Sequence, residues 1–208
     1  VRDLLYAAVC GGYNDAACVL ACLSSGSVAA FVEDMNAEAQ RLGTLHTRYT
    51  NPTGLHDPAM CTTARDVSII AREAYRNELY MRISSARSHT IPPTNVSPER
   101  LFSNRNALIS DSSQNYYNGY CAGMNAGMTD EGGWCVAARA FRFDLTWFSV
   151  VLGGEESEDG KTIMRTAGRG RCTLTRAGLT YRGTKDGEPY EISFPLKRIF
   201  RLIFGAGE

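Results

Sequence analysis

Val28, Phe31, Val32, Met35, Ala39 and Leu42 recur at the spacing of one helical face, and Gly43 stands where a helix-ending glycine belongs. An apolar stripe of this kind needs a second layer to cover it. The rest of the chain offers both helices and strands for that layer. Residues 2–9 read as a short helix that "GGYND" breaks. Asn14 is placed to cap the next helix, through "AACVLACL", with Asp15 in its first turn. Thr63-x-x-Asp66 reads as a capping box opening "ARDVSIIAREAYRN", with Val67, Ile70, Ala71 and Ala74 as its buried stripe. Farther on, "YYNGYCAGM", "WCVAARAFRF" and "TWFSVVLGG" read as three strands, joined by tight turns at 129–133 and 143–145.

The connecting stretches are less regular. "RYTNPTGLHDPAM" is rich in turn residues. Residues 84–100, with many Ser, Pro and Asn, read as an irregular surface excursion, and "LFSNRNALI" is short and mixed. At "GGEESEDGKT" the composition turns acidic and linker-like, over residues 155–165. Within 166–208, "RCTLTRAGLTYRG", the turn "TKDGEP" and "YEISFPL" form a small antiparallel β-rich appendage. The tail "KRIFRLIFGAGE" has an apolar face and reads as one more packed element; a strand pair, a docked helix and an interfacial membrane anchor are the forms open to it. With no initiator Met and no signal peptide before "VRDLLYAAV", the chain is expected to be a piece of a longer protein, its appendage cut short.

Bulk composition narrows the partners. At 208 residues, 44% hydrophobic and 21% charged, the chain fits one medium domain or a domain with an appendage. Its formal net charge is zero, which offers no electrostatic handle to nucleic acid or an anionic membrane. No run of about 18 apolar residues marks a membrane span. Nineteen Arg accompany three Lys (Lys161, Lys185 and Lys197), so lysine-dependent chemistry has three candidates.

The seven Cys are odd in number and include no CxxC pair. Cys18 and Cys22 lie four apart on a helix but lack companions for a zinc site. Most Cys are therefore read as small buried apolar residues, and no metal or cofactor is expected. His46, His56 and His89 fall in or beside loops and read as turn or surface residues. His56 and Asp57 are sequence neighbours, which turns their side chains apart. Glu155, Glu156, Glu158 and Asp159 read as a solvated linker. Tyr116, Tyr117, Tyr120, Trp134, Trp147 and Phe148 fall in strand segments, where alternate positions belong to the core.

Several blocks stand in a recognisable order. "VRDLLYAAVCGGYNDAA" precedes "GSVAAFVEDMNAEAQRLG" and "TRYTNPTGLHDPAMCTTARDVSIIAREA"; "SNRNALI", "GMNAGMTDEGGWCVAARA" and "WFSVVLGG" follow. This order resembles the serine-type D-Ala-D-Ala carboxypeptidases, the low-molecular-mass penicillin-binding proteins of the S11 peptidase family. The resemblance covers residues 1–154 and is most specific at Asn51-Pro52-Thr53-Gly54-Leu55 and Thr63-Ala64-Arg65-Asp66. It implies an α+β acyl-serine transferase fold, of the β-lactamase and transpeptidase type, with an antiparallel sheet against helices. Residues 1–154 would hold that domain without its N-terminal part.

The family works through three motifs: S-x-x-K for nucleophile and proton acceptor, S-x-N for a second hydroxyl and an amide, and K-T-G on the strand edging the cleft. By resemblance, S-x-x-K would precede Val1, and no Ser stands three residues before any Lys here. The S-x-N position falls on Gly12-Tyr13-Asn14, which keeps Asn14 and lacks the hydroxyl at Gly12. The K-T-G position falls on Asn125-Ala126-Gly127, which keeps Gly127 and the following Thr129 but not the lysine or threonine. Lys161-Thr162-Ile163 lacks the glycine and lies in the linker. Losing a cation and a hydroxyl that face a carboxylate removes bonds of roughly 1.5–3 kcal/mol each. Losing a relay hydroxyl removes about 10²–10⁴-fold in rate.

The resemblance therefore implies a catalytically degenerate carboxypeptidase homologue, with no intact catalytic set and a cleft or scaffold for peptidoglycan stem peptide. Its place would be outside the cytoplasmic membrane. An active carboxypeptidase whose nucleophile lies upstream is a second reading. An interaction or membrane-association module acting through residues 166–208 is a third.

Overall fold

The apolar stripe at 28–42 forms helix α3 (Val28–Arg41), and both of its ends are set by local chemistry. Ser27 Oγ accepts the Ala30 amide at 3.1 Å. At the other end the Gly43 amide donates to the Gln40 carbonyl and the Thr44 amide to the Ala39 carbonyl, with Gly43 at φ 75°. That pair of bonds needs a left-handed residue, which glycine supplies without steric cost. All six stripe residues are buried or half-buried, and α3 packs on α2 (Asn14–Ser25). The structure, a computed structural model, describes residues 1–110, 119–142, 145–154, 171–175, 178–185 and 188–195.

The chain divides into two compact units, residues 1–164 and 165–208. In the first, α1 (Arg2–Tyr6) runs into one π-helical turn, Ala7–Gly11. Tyr6 and Cys10 from this segment pack with Ile83 of α5 (Glu78–Ser84). Helix α4 (Ala64–Ala74) opens at Thr63, whose Oγ1 accepts the Asp66 amide at 3.1 Å. The expected capping box is only half formed. The buried Asp66 carboxylate accepts the His46 amide at 2.8 Å and the Thr47 hydroxyl at 3.0 Å.

Residues 84–100 are more ordered than their composition implies. β1 (Ser88–Ile91) pairs antiparallel with β2 (Arg100–Ser103). His89, expected as a surface residue, is half-buried in β1. It stacks on the Tyr6 ring at 3.8 Å, and its Nε2 lies 2.9 Å from Asp3 Oδ1. These contacts tie the hairpin to α1 across more than eighty residues, a relation that local sequence does not carry.

The three expected strands form one antiparallel sheet: β3 (Cys121–Thr129), β4 (Gly133–Arg142) and β5 (Leu145–Gly154), in the order β3-β4-β5. Leu108 of α6 (Ala107–Ser110) packs with Ala126, Val136 and Ala138 to make the sheet's core cluster. Full burial of a side chain such as Leu108 contributes about 1.5–3 kcal/mol. Helix α4 packs on β5 and β4. Tyr120, expected in a strand, stands in the turn before β3 and is 50% exposed. In the second unit, β6 (Arg171–Thr175), β7 (Gly178–Lys185) and β8 (Glu188–Pro195) form a separate antiparallel sheet in the order β6-β7-β8.

The cysteines differ from expectation. The six described thiols are free, and only Cys10 is fully buried; Cys22 and Cys61 are exposed. Cys22 shares α2 with Val19 and Leu23, both exposed, so the outer face of that helix carries apolar side chains. Residues 116–118, the turn at 143–144, the linker 155–165 with its acidic residues and Lys161, and the tail 196–208 lie outside the described residues. Among the described residues no single helix is long and apolar enough to cross a membrane, and no three His, Cys, Asp or Glu gather as a metal site requires.

Candidate active-site cleft

Positive φ angles shape both walls of a cleft of about 720 Å³ in the first unit. One wall comes from Gly12, Tyr13 and Asn14, where the π-helical turn meets α2. Gly12 has φ 68°, and the Tyr13 amide reaches back to the Ala7 carbonyl at 3.0 Å. The Tyr13 ring packs on Phe102 at 5.0 Å; a Cβ on Gly11 would meet that ring at 2.6 Å. Asn14 does not act as the helix cap. Tyr13 precedes the first turn with no side-chain bond, and Asp15 Oδ1 accepts the Ala16 amide at 2.8 Å. The exposed Asn14 amide makes no hydrogen bond among the described residues.

The other wall is β3. The strand enters through a bulge between Cys121 and Met124, with φ 91° at Gly123 and φ 80° at Met124. Positive φ is strained for methionine and persists because its surroundings hold it. Met124 is 1% exposed. A Cβ on Gly123 would lie 2.6 Å from the Ser84 carbonyl oxygen, so only glycine allows the two backbones to approach. Asn106 Nδ2 donates to the Gly123 carbonyl at 3.3 Å. Asn104 Nδ2 donates to the carbonyls of Ser84 and Ala86 at 3.0 and 2.8 Å.

Beyond the bulge the ladder is regular, pairing Asn125 with Ala137, Ala126 with Val136, Gly127 with Cys135 and Thr129 with Gly133. Strand alternation then sorts the expected site residues. Ala126 is buried in the core cluster, and Asn125 is exposed with no hydrogen bond from its amide among the described residues. Thr129 lines the cleft, but its hydroxyl oxygen accepts the Gly132 amide at 2.9 Å and so holds the turn into β4. All six expected positions, Gly12, Asn14, Asn125, Ala126, Gly127 and Thr129, line this one cleft.

A third side comes from residues 52–57, and Asn51 fixes its course. Asn51 Oδ1 accepts the Thr53 and Gly54 amides at 3.1 and 2.8 Å, and Nδ2 donates to the Leu55 carbonyl at 3.0 Å. This brings His56 and Asp57 to the cleft lining, His56 exposed. Behind the loop, burial raises the Asp66 pKa, while the His46 amide and the Thr47 hydroxyl lower it and prevail, leaving it below its ordinary value.

Arg105 is the residue that sequence reasoning passed over. It sits within "SNRNALI" and lines the cleft, with Nη1 donating to the Gly12 carbonyl at 3.3 Å. A Cβ on Gly12 would lie 2.2 Å from Arg105 Cδ. The signal available in sequence was its charge beside the otherwise neutral block.

Helices packed on an antiparallel sheet, with a cleft along the sheet's edge strand, define a penicillin-binding-protein type of acyl-serine transferase fold. Residues 1–156 match the peptidase S11 family model, described as D-alanyl-D-alanine carboxypeptidase, and the chain belongs to that family. It is 33% identical over 171 residues to the D-alanyl-D-alanine carboxypeptidase DacA of Haemophilus influenzae, covering 78% of this chain and 40% of that protein. It is 28% identical over 159 residues to DacF of Bacillus subtilis, covering 76% and 39%. The chain thus spans about two fifths of the length of these curated relatives. Among solved structures it resembles the Streptomyces K15 DD-transpeptidase, with TM-score 0.69 and 25% identity over 81% of this chain and 67% of that one. A penicillin-binding protein homologue from Mycobacterium tuberculosis gives TM-score 0.66 and 26% identity over 80% and 63%.

Proposed function

We propose that this chain carries the cleft of a D-Ala-D-Ala carboxypeptidase homologue that holds a peptidoglycan stem peptide, or serves as a scaffold, without efficient turnover. The observation that carries this reading is the chemistry of the cleft edge. The side chains at 125 and 126 are a neutral amide and a buried methyl, where a lysine and a threonine would supply charge and a hydroxyl. At position 12 there is no side chain, and Arg105 occupies that space. An amide and a guanidinium bind well but do not relay protons near neutral pH. Action outside the cytoplasmic membrane, on cell wall, follows from family membership as part of the same proposal.

The test is acylation of the full-length protein by a labelled penicillin, together with release of D-Ala from a pentapeptide. Absence of both, with retained pentapeptide binding, is the expected outcome. Stoichiometric acylation with steady D-Ala release would establish the alternative, an active carboxypeptidase whose Ser and Lys lie outside this chain. That alternative stands on the share of the relatives' length that the chain spans.

A further inference from the structure

Cys18 and Cys22 stand four residues apart in the sequence, and both fall inside helix α2 (Asn14–Ser25). That spacing is one helical turn, so the two side chains share a face, with about 5–6 Å between their Cβ atoms. Both thiols are free; Cys22 is exposed and Cys18 half-buried. Neither makes a hydrogen bond among the described residues. Cys10 and Cys135 differ in this, since their Sγ atoms donate to the Ala86 and Gly132 carbonyls at 3.7 and 3.5 Å. A disulfide does not join the pair without distorting the helix, because it needs Cβ atoms about 3.5–4.5 Å apart. One bridging ion does. Two metal–sulfur bonds of about 2.3 Å each, the length zinc makes with thiolate, span what a single sulfur–sulfur bond does not. Two sulfurs are too few for zinc, whose structural sites take four ligands. They suffice for a soft cation that takes two ligands in line, and thiolates select Cu(I), an ion of that kind. Val19 and Leu23 lie exposed on the same helix, which carries no Lys or Arg, so no side-chain cation of α2 competes for the thiolates.

We propose that Cys18 and Cys22 form a two-thiolate site on α2 for a single soft monovalent cation of the Cu(I) type. On binding, each thiol gives its proton to solvent and a sulfur lone pair to the ion, and no oxidation state changes. The site stands whatever the cleft binds, because neither thiol belongs to the cleft lining.

The experiment is an anaerobic titration of the reduced full-length protein with Cu(I), in competition with the chromogenic chelator bicinchoninate. The unaltered protein is expected to hold one equivalent against the chelator. Cys18→Ser and Cys22→Ser should each weaken that equivalent by about 10²-fold or more, because a second thiolate on the same face binds intramolecularly. Cys61→Ser removes an exposed thiol elsewhere and should leave it unchanged. Cys22→Ser combined with Leu23→Cys keeps the number of thiols but moves the second one off the shared face, and should not restore binding. X-ray absorption of the loaded protein should show two sulfur neighbours around the ion. The proposal is overturned if the unaltered protein holds no equivalent, or if the double variant C18S/C22S holds it as tightly. Single substitutions that weaken it only slightly would mean that each thiol acts alone, and restoration by C22S/L23C would mean that the helical spacing is immaterial; either result also overturns it.

Discussion

Asn104 and Asn125 are the same residue type in two regions of the first unit, used in opposite ways. Asn104 is buried, and both ends of its amide are engaged: Nδ2 with the Ser84 and Ala86 carbonyls, Oδ1 with the Asn106 amide at 2.9 Å. Asn36 and Asn51 are half-buried and also engaged at both ends, Asn36 with the Tyr49 backbone and Asn51 with the backbone of the loop that follows it. Asn125 and Asn14 are exposed on the cleft and engage nothing among the described residues. A buried polar group without a partner is costly, so the first set must be structural. The second set has no structural duty and is available to a ligand. The contrast separates the amides consumed by the fold from those left open on the cleft.

The comparison breaks if the two sets respond alike to mutation. The largest effect belongs to Asn104→Ala. Two carbonyls and an amide lose a buried partner at about 1–3 kcal/mol each. We expect a loss of about 3 kcal/mol or more, read calorimetrically as a fall of roughly 6–12 °C in the melting temperature of the first unit. Asn51→Ala comes next, since its loop is only half-buried and water can replace part of what is lost. A loss of about 1–2 kcal/mol is expected from denaturant titration.

A smaller effect is expected from acid. The folded pKa of Asp66 lies below its ordinary value of 3.8, so its carboxylate contributes stability that is present above that value. This contribution is lost as pH falls through the folded pKa. Melting temperatures followed from pH 5 down to about 2 should decline through this window, and Asp66→Asn should remove that part of the decline. The smallest effect is for Asn125→Ala, expected within about 0.5 kcal/mol of the unaltered protein. A drop of several degrees in its thermal melt would make Asn125 structural and dissolve the distinction.

Legibility followed the range of the interactions. Helix α3 was readable from its stripe and its Gly43 stop, because each signal lies within a few residues of what it controls. Thr63 as a cap was readable for the same reason, whereas Asp66 was misread. Its carboxylate answers to His46 and Thr47, about twenty residues away. The β1-β2 hairpin was missed because its Ser- and Pro-rich sequence shows no apolar alternation. It is held by pairing and by the contact of His89 with Tyr6. The six positions named from the family resemblance line one cleft. Arg105 was not singled out from sequence, because its contact with Gly12 joins residues more than ninety apart in the chain.

Sequence alone determined the end of α3, the Thr63 start of α4, the three strands of the main sheet and the family's frame, because periodicity, caps and glycines act on neighbouring residues. Tertiary structure decided which polar groups are consumed by the fold and which face the cleft. Burial and hydrogen-bond partners are set by segments far apart in the chain, so an asparagine is a strut at position 104 and an open hand at position 125 for reasons its neighbours in sequence do not carry.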